Sequence, residues 1–146
     1  RREDLEKQLK MTHVGMDELL TQSDFVSIHV DLNPTTQHMF STEQFKQMKN
    51  SSVIINAARG PVIDQMALYE ALKNKEIAGA GLDVTDPEPI PNDHPLLTLD
   101  NCLIVPHIAS ATIETRRAMS NLAAVNLING LKGTSLSTCV NPEVDN

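Results

Sequence analysis

The sequence predicts an α/β fold with a parallel sheet of the Rossmann type, and two observations carry that reading. Four short β-branched runs, at residues 25–30, 52–56, 77–84 and 102–105, alternate with stretches of helical period, the order that βαβ units produce. The runs are almost continuously apolar rather than strictly alternating, as expected of parallel strands covered on both faces. A shorter strand is expected at 11–14.

Each intervening helix has its own signal. Residues 15–22 place Met16, Leu19 and Leu20 on one face. The stretch 41–49 opens with Ser41 and Gln44 at capping-box spacing, so each side chain can satisfy a backbone N–H of the first turn. Residues 64–74 begin with Asp64 at the positive end of the helix and direct Ala67, Leu68, Ala71 and Leu72 inward. The longest helix is expected at 110–131, stopped by Gly133. Its apolar residues wrap much of the circumference, which predicts burial between two bodies. Residues 85–100 contain Pro87, Pro89, Pro91 and Pro95 and read as a long loop, the kind that is usually functional when ordered.

Composition narrows the functional classes. With 146 residues the chain can build one domain with a real core. Its 12 basic against 19 acidic residues give a net charge of −7, which argues against nucleic acid or an anionic membrane as partner, since either needs a basic stripe. No apolar run approaches the roughly 20 residues that span a bilayer. Cys102 and Cys139 have no metal or redox spacing, and no leader-like segment opens the chain, so a reducing cytoplasmic setting is expected. Cys102 reads as a small core residue. His13, His29, His38 and His94 lack metal-ligand spacing and read as structural or solvated, so no metal site is expected. Ser41 reads as a cap rather than a nucleophile.

In an open parallel sheet, ligands bind beyond the carboxyl ends of the strands. The polar residues there are Asp31 after the first strand, Asn56 and Arg59 with Gly60 after the second, Asp83 with Glu88 after the third, and His107 after the fourth. Arg grips a carboxylate through two parallel N–H bonds. A histidine beside a carboxylate keeps its proton to higher pH and becomes a usable acid. Together they suit an anionic oxo acid whose carbonyl is protonated as it is reduced. Taken singly, Arg59 also reads as a strand-end cap, Glu88 as a solvated loop residue and His107 as a polar turn residue.

Three blocks, Asn56-Ala57-Ala58-Arg59-Gly60, Gly81-Leu82-Asp83-Val84 with Glu88, and Pro106-His107-Ile108, resemble in order the signatures of D-isomer-specific 2-hydroxyacid dehydrogenases. The likeness extends to Leu32-Asn33-Pro34-Thr35-Thr36 and Asn141-Pro142. The stretch from Gly81 through His94-Pro95-Leu96-Leu97 looks most like the glyoxylate/hydroxypyruvate reductase branch.

The resemblance implies roles. Arg59 would hold the substrate carboxylate and polarise its carbonyl. His107 would be the general acid in reduction and the base in oxidation, oriented by Glu88. Asp83 would bind the nicotinamide carboxamide, with Asp31, Ala57, Arg59, His107 and Ala109 also at the dinucleotide. Ile108, Ala109 and Ser110 would complete the substrate pocket. The implied reaction is hydride transfer from NADPH or NADH to glyoxylate or hydroxypyruvate, giving glycolate or D-glycerate, in a complete protein that is a homodimer. NADPH is favoured where Arg1 and Arg2 face a 2′-phosphate. Two other assignments stay open: a dehydrogenase for another D-2-hydroxy acid such as 3-phosphoglycerate, and a dinucleotide-sensing corepressor of the same family.

The chain departs from the family at Ala109, where glycine is usual, and it contains no G-x-G-x-x-G. Residues 1–131 are therefore expected to form the second half of an NAD(P)-binding domain. Residues 132–146 would be a tail packing on a substrate domain outside this chain, and the 146 residues alone would be inactive.

Overall fold

The computed structural model describes residues 2–145, and the chain divides into two compact units, one ending at His107 and the other beginning at Ile108. The first unit runs through α1 (Glu3–Leu9), α2 (Met16–Gln22), β1 (Phe25–Ile28), α3 (Thr42–Gln47), β2 (Val53–Asn56), α4 (Gln65–Lys73), β3 (Gly79–Leu82) and β4 (Cys102–Ile104). All four strands are parallel and lie in chain order, β1-β2-β3-β4. In register, Val26 faces Ile54, Ile54 faces Ala80, and Ala80 faces Cys102.

That row explains the core. Val26, Ile28, Ile54, Ala80 and Leu82 share one face of the sheet and are buried with Leu20 of α2, Phe45 of α3, and Leu68, Ala71 and Leu72 of α4. Each fully buried side chain of this size stabilises the fold by about 1.5–3 kcal/mol. The helices start where the sequence signals them. Asp64 accepts hydrogen bonds from the backbone N–H groups of Met66 and Ala67, and Gln44 Oε1 accepts from the Ser41 N–H at 3.1 Å.

In the first unit, three expectations need correction. The sheet is not covered on both faces among the described residues: Phe25 is 70% and Leu103 67% exposed on the side opposite the core. The connecting helices α3 and α4 both pack on the core side, so the chain's own crossovers leave the other face open. No strand forms at 11–14, because those residues have no partner strand and Met11 is half exposed. The 85–100 loop is not without structure: a short helical turn at Pro95–Thr98 seats Leu96 in the core, and His94 caps it by accepting the Leu96 N–H. α1 lacked an apolar stripe to announce it, but its first turn carries Glu3, Asp4 and Glu6 at the positive end of the helix.

The second unit consists of α5 (Ile113–Leu131) and a tail. Thr112 caps its start by accepting from the Thr115 N–H at 3.2 Å. Gly133 ends it at φ +66°, with the Gly133 N–H bonded to the Gly130 carbonyl and the Thr134 N–H to that of Asn129. This is a Schellman motif, and it needs a residue free to enter the left-handed region. The tail returns along the helix, where Asn126 bonds the Ser137 N–H and the Thr138 hydroxyl. None of the described residues of α5 is buried, so the second body expected to cover its apolar circumference is not among the described residues. The helix and the described tail lie together in the unit that begins at Ile108.

Candidate active site

The carboxyl ends of the strands carry the chemistry, and short-range bonds set their loops. After β1, the Asn33 side chain accepts from the N–H groups of Thr35 and Thr36, and the buried Thr36 hydroxyl donates to the Asp31 carbonyl at 2.6 Å. These bonds fix the turn on which Asp31 stands, leaving its carboxylate exposed.

β2 ends at Asn56, which is 1% exposed. Its side chain accepts from the Ala58 N–H at 3.0 Å and donates to the Arg59 carbonyl at 2.9 Å. Both polar ends of the amide are thereby used, and the backbone from Ala57 to Arg59 is held in one posture. Arg59 itself is exposed, with one Nη1 bond to the Ala58 carbonyl at 2.7 Å. Asp31, Ala57 and Arg59 line a common cavity of about 410 Å³ with His29, Val30 and Leu32.

β3 delivers Asp83, 8% exposed, whose N–H bonds the Asn56 carbonyl. The loop that follows holds Glu88 between Pro87 and Pro89. Gly60 backs directly onto this loop: a Cβ there would lie 2.0 Å from the Thr85 carbonyl oxygen. Glycine is required by that approach alone. Gln65, which the sequence reading passed over, also reaches the loop and bonds both the N–H and the carbonyl of Asp86. Its only signal was its place one residue after the Asp64 cap.

β4 is followed by Pro106, around which the His107 N–H bonds the Val105 carbonyl at 3.0 Å. Proline's fixed φ suits the centre of such a three-residue turn. His107 adopts φ +53°, a strained posture for a residue with a Cβ and one that concentrates at functional sites. Its Nδ1 lies 2.7 Å from Glu88 Oε1. The bond to Glu88 occupies Nδ1 and leaves Nε2 as the other ring position for proton transfer. Glu88, His107 and Asp83 line one cavity of about 430 Å³, whose other walls include Pro89, Ile90, Leu97, Ile104 and Val105.

Thus the structure brings Glu88, His107 and Asp83 together, and Asp31, Ala57 and Arg59 together, in two separate depressions after the carboxyl ends of the strands. Ile108, Ala109 and Ser110 open the second unit. Ala109 does not have positive φ, so its methyl meets no backbone penalty where the family's glycine is usual. Arg1 lies outside the described residues, and Arg2 is engaged by Asp4 through two bonds of 2.9 and 2.7 Å. Among the described residues no cluster of three or more His, Cys, Asp or Glu could hold a metal, and no helix is long and apolar enough to cross a membrane.

A parallel sheet with a carboxylate–imidazole pair and an open arginine at its carboxyl edge defines a Rossmann-like α/β domain. Comparison with known proteins narrows the class. Residues 1–109 match the family model of the D-isomer specific 2-hydroxyacid dehydrogenase, NAD binding domain. The chain is 51% identical over 144 residues, 99% of its length, to a glyoxylate reductase of Korarchaeum cryptofilum. It is 49% identical over 95% of its length to a glyoxylate/hydroxypyruvate reductase B of Yersinia pestis. In each case it spans 43% of the relative's length. Among solved structures, a glyoxylate reductase from Paecilomyes thermophila superposes with a TM-score of 0.86 at 36% identity, over 97% of this chain and 42% of that one. A D-lactate dehydrogenase with NAD+ from Lactobacillus jensenii gives 0.85 at 33% identity, over 92% and 44%. The chain belongs to the D-isomer-specific 2-hydroxyacid dehydrogenases, within their NAD-binding domain.

Proposed function

We propose that this chain supplies the proton-transfer and anion-binding residues of an NAD(P)H-dependent reductase acting on glyoxylate and hydroxypyruvate. The observation that carries this reading is the 2.7 Å pairing of Glu88 with His107 at the wall of a largely apolar cavity that also holds Asp83. The residues fit a nicotinamide: the Asp83 carboxylate is an acceptor suited to a carboxamide N–H, and apolar walls suit the flat ring. When bound, the dinucleotide supplies the hydride.

The chain's own residues do the rest. Glu88 fixes the imidazole through Nδ1, so Nε2 carries the proton that passes to the substrate's carbonyl oxygen. Arg59, exposed and only singly bonded, binds the substrate carboxylate and draws electron density from the carbonyl as charge develops there. Asp31 and Ala57, which line the same depression as Arg59, would contribute to the dinucleotide site. We read the complete protein as cytoplasmic and as a homodimer; the apolar surface that α5 exposes at Met119, Leu122 and Leu127 supports association alone.

The test is turnover by the full-length protein, followed by loss of reduced-nicotinamide absorbance, with glyoxylate, hydroxypyruvate and a phosphorylated 3-carbon oxo acid. The first two should be reduced best. Failure to reduce any 2-oxo acid overturns the reading. Comparing KM for NADPH and NADH decides the cofactor.

A further inference from the structure

Glu88 sits on a proline-bounded loop with little backbone bonding of its own, yet its carboxylate must stand within hydrogen-bond reach of His107. We propose that Gln65 is the positioning residue for that pair, holding Glu88 against His107 by clamping the Asp86 peptide. Gln65 is 8% exposed and is the first residue of α4. Its Nε2 donates to the Asp86 carbonyl, and its Oε1 accepts from the Asp86 N–H at 3.1 Å. One side-chain amide therefore satisfies both polar groups of one residue, as a strand neighbour would.

The clamp has a firm base and a stiff arm. Its base is the first turn of α4, fixed by the Asp64 cap and anchored in the core through Leu68, Ala71 and Leu72. Its arm is the segment 86–89. Pro87 and Pro89 have fixed φ, and Asp86 and Glu88 each precede a proline and are restricted in turn. Few torsions lie between the clamped peptide and the Glu88 carboxylate to absorb a shift. The Thr85 hydroxyl tightens the same turn by donating to the Pro87 carbonyl at 2.9 Å, and Gly60 blocks retreat toward β2. A buried glutamine that merely satisfied a peptide would serve stability alone. Here the satisfied peptide is two residues from the carboxylate that orients the acid.

The inference rests on reading Glu88 and His107 as the acid pair, and the experiment separates the two claims. In the full-length protein with labelled histidine, the Nδ1 proton of His107 bonded to a carboxylate should give a downfield resonance. Glu88→Gln should move it and lower kcat; if it does neither, the acid-pair reading itself fails. Gln65→Leu, which removes both clamp bonds, should broaden or move the same resonance. It should also lower kcat by about 10–100-fold, the order of loss expected from a small misplacement near the chemistry. KM for the oxo acid should stay within about twofold. Gln65→Glu keeps the acceptor for the Asp86 N–H and loses the donor, so it should fall between wild type and Leu. In the Glu88→Gln background, Gln65→Leu should add no further loss of kcat, because it acts through Glu88. A Gln65→Leu protein that melts lower yet keeps the wild-type resonance and kcat overturns the proposal, as does a fully additive double variant. If Gln65→Leu does not fold, Gln65→Glu decides by the same measurements, and wild-type values for it overturn the proposal too.

Discussion

The two ends of the sheet's carboxyl edge are prepared in different ways. At the β3–β4 end the side chains themselves are paired, Glu88 against His107. At the β1–β2 end it is the backbone that is prepared: Asn56 and Asn33 hold the turns, while Asp31 and Arg59 stand open. The difference fits the role proposed for each end. A proton donor has to be oriented before the reaction, because its geometry sets the rate. An anion-binding arginine must keep its donors free for the ligand, because a guanidinium already paired in the resting protein would have to break one bond to make another.

The largest effect should come from the prepared pair. His107→Gln in the full-length protein should lower kcat by roughly 10²–10⁴, the usual worth of general acid catalysis, with KM for glyoxylate little changed. A larger change in KM than in kcat would mean that this end binds rather than reacts. At the open end, Arg59→Lys should lower kcat/KM by roughly 10–150-fold, corresponding to loss of a charged bond of about 1.5–3 kcal/mol. Lysine keeps the charge but lacks the planar fork. Melting temperature should hardly move; normal reduction with a much lower Tm would make Arg59 a structural cap.

Gly60 is the seam between the ends, since it belongs to the β2 turn and touches the β3 loop. Gly60→Ala should destabilise by about 1–3 kcal/mol, as overpacking does, and should lower kcat as well by displacing the Glu88 loop. Unchanged denaturant midpoint and kcat would show that the seam is soft. The smallest effect is expected far from this edge, at the start of β4. Burial pushes the Cys102 thiol up to about 11, so its thiolate is scarce at neutral pH and grows about tenfold per pH unit as pH rises toward 11. Alkylation of Cys102 in the folded protein should be slow at pH 8 and follow that slope. Rapid labelling at pH 8 would show that the strand start is open.

How far this was legible in the sequence depended on whether the signal was local. Asp64, Ser41 with Gln44, and Gly133 act within one turn, and the caps and stop they signal are in the structure. The strands were legible from short apolar runs between helical stretches, branched in β1 and β2 but small in β3, which is Gly-Ala-Gly-Leu. Strand ends also placed Glu88 and His107 on one edge, and the structure closes them to contact. What failed was non-local. A continuously apolar run does not say whether both faces are covered, and Phe25 and Leu103 stand exposed. The apolar circumference of α5 signalled burial that no described partner provides. Residues 11–14 had strand-like types but no neighbour to pair with. Gln65 acts across 21 residues of chain, at a distance no short motif encodes.

The strand order has a consequence for how the unit can assemble. Each strand's partner is its successor in the chain, so no strand has to be threaded between two that are already joined. Among these four strands, each successor therefore adds on the β4 side of the one before it. The Glu88–His107 contact, which joins the loops after β3 and β4, closes only once β4 has paired with β3. Each pairing closes a whole crossover, Phe25 onto Val53, Val53 onto Gly79 and Ala80 onto Cys102, so folding of this unit should be paced by non-local closures, and the Glu88–His107 contact reports the pairing of β4.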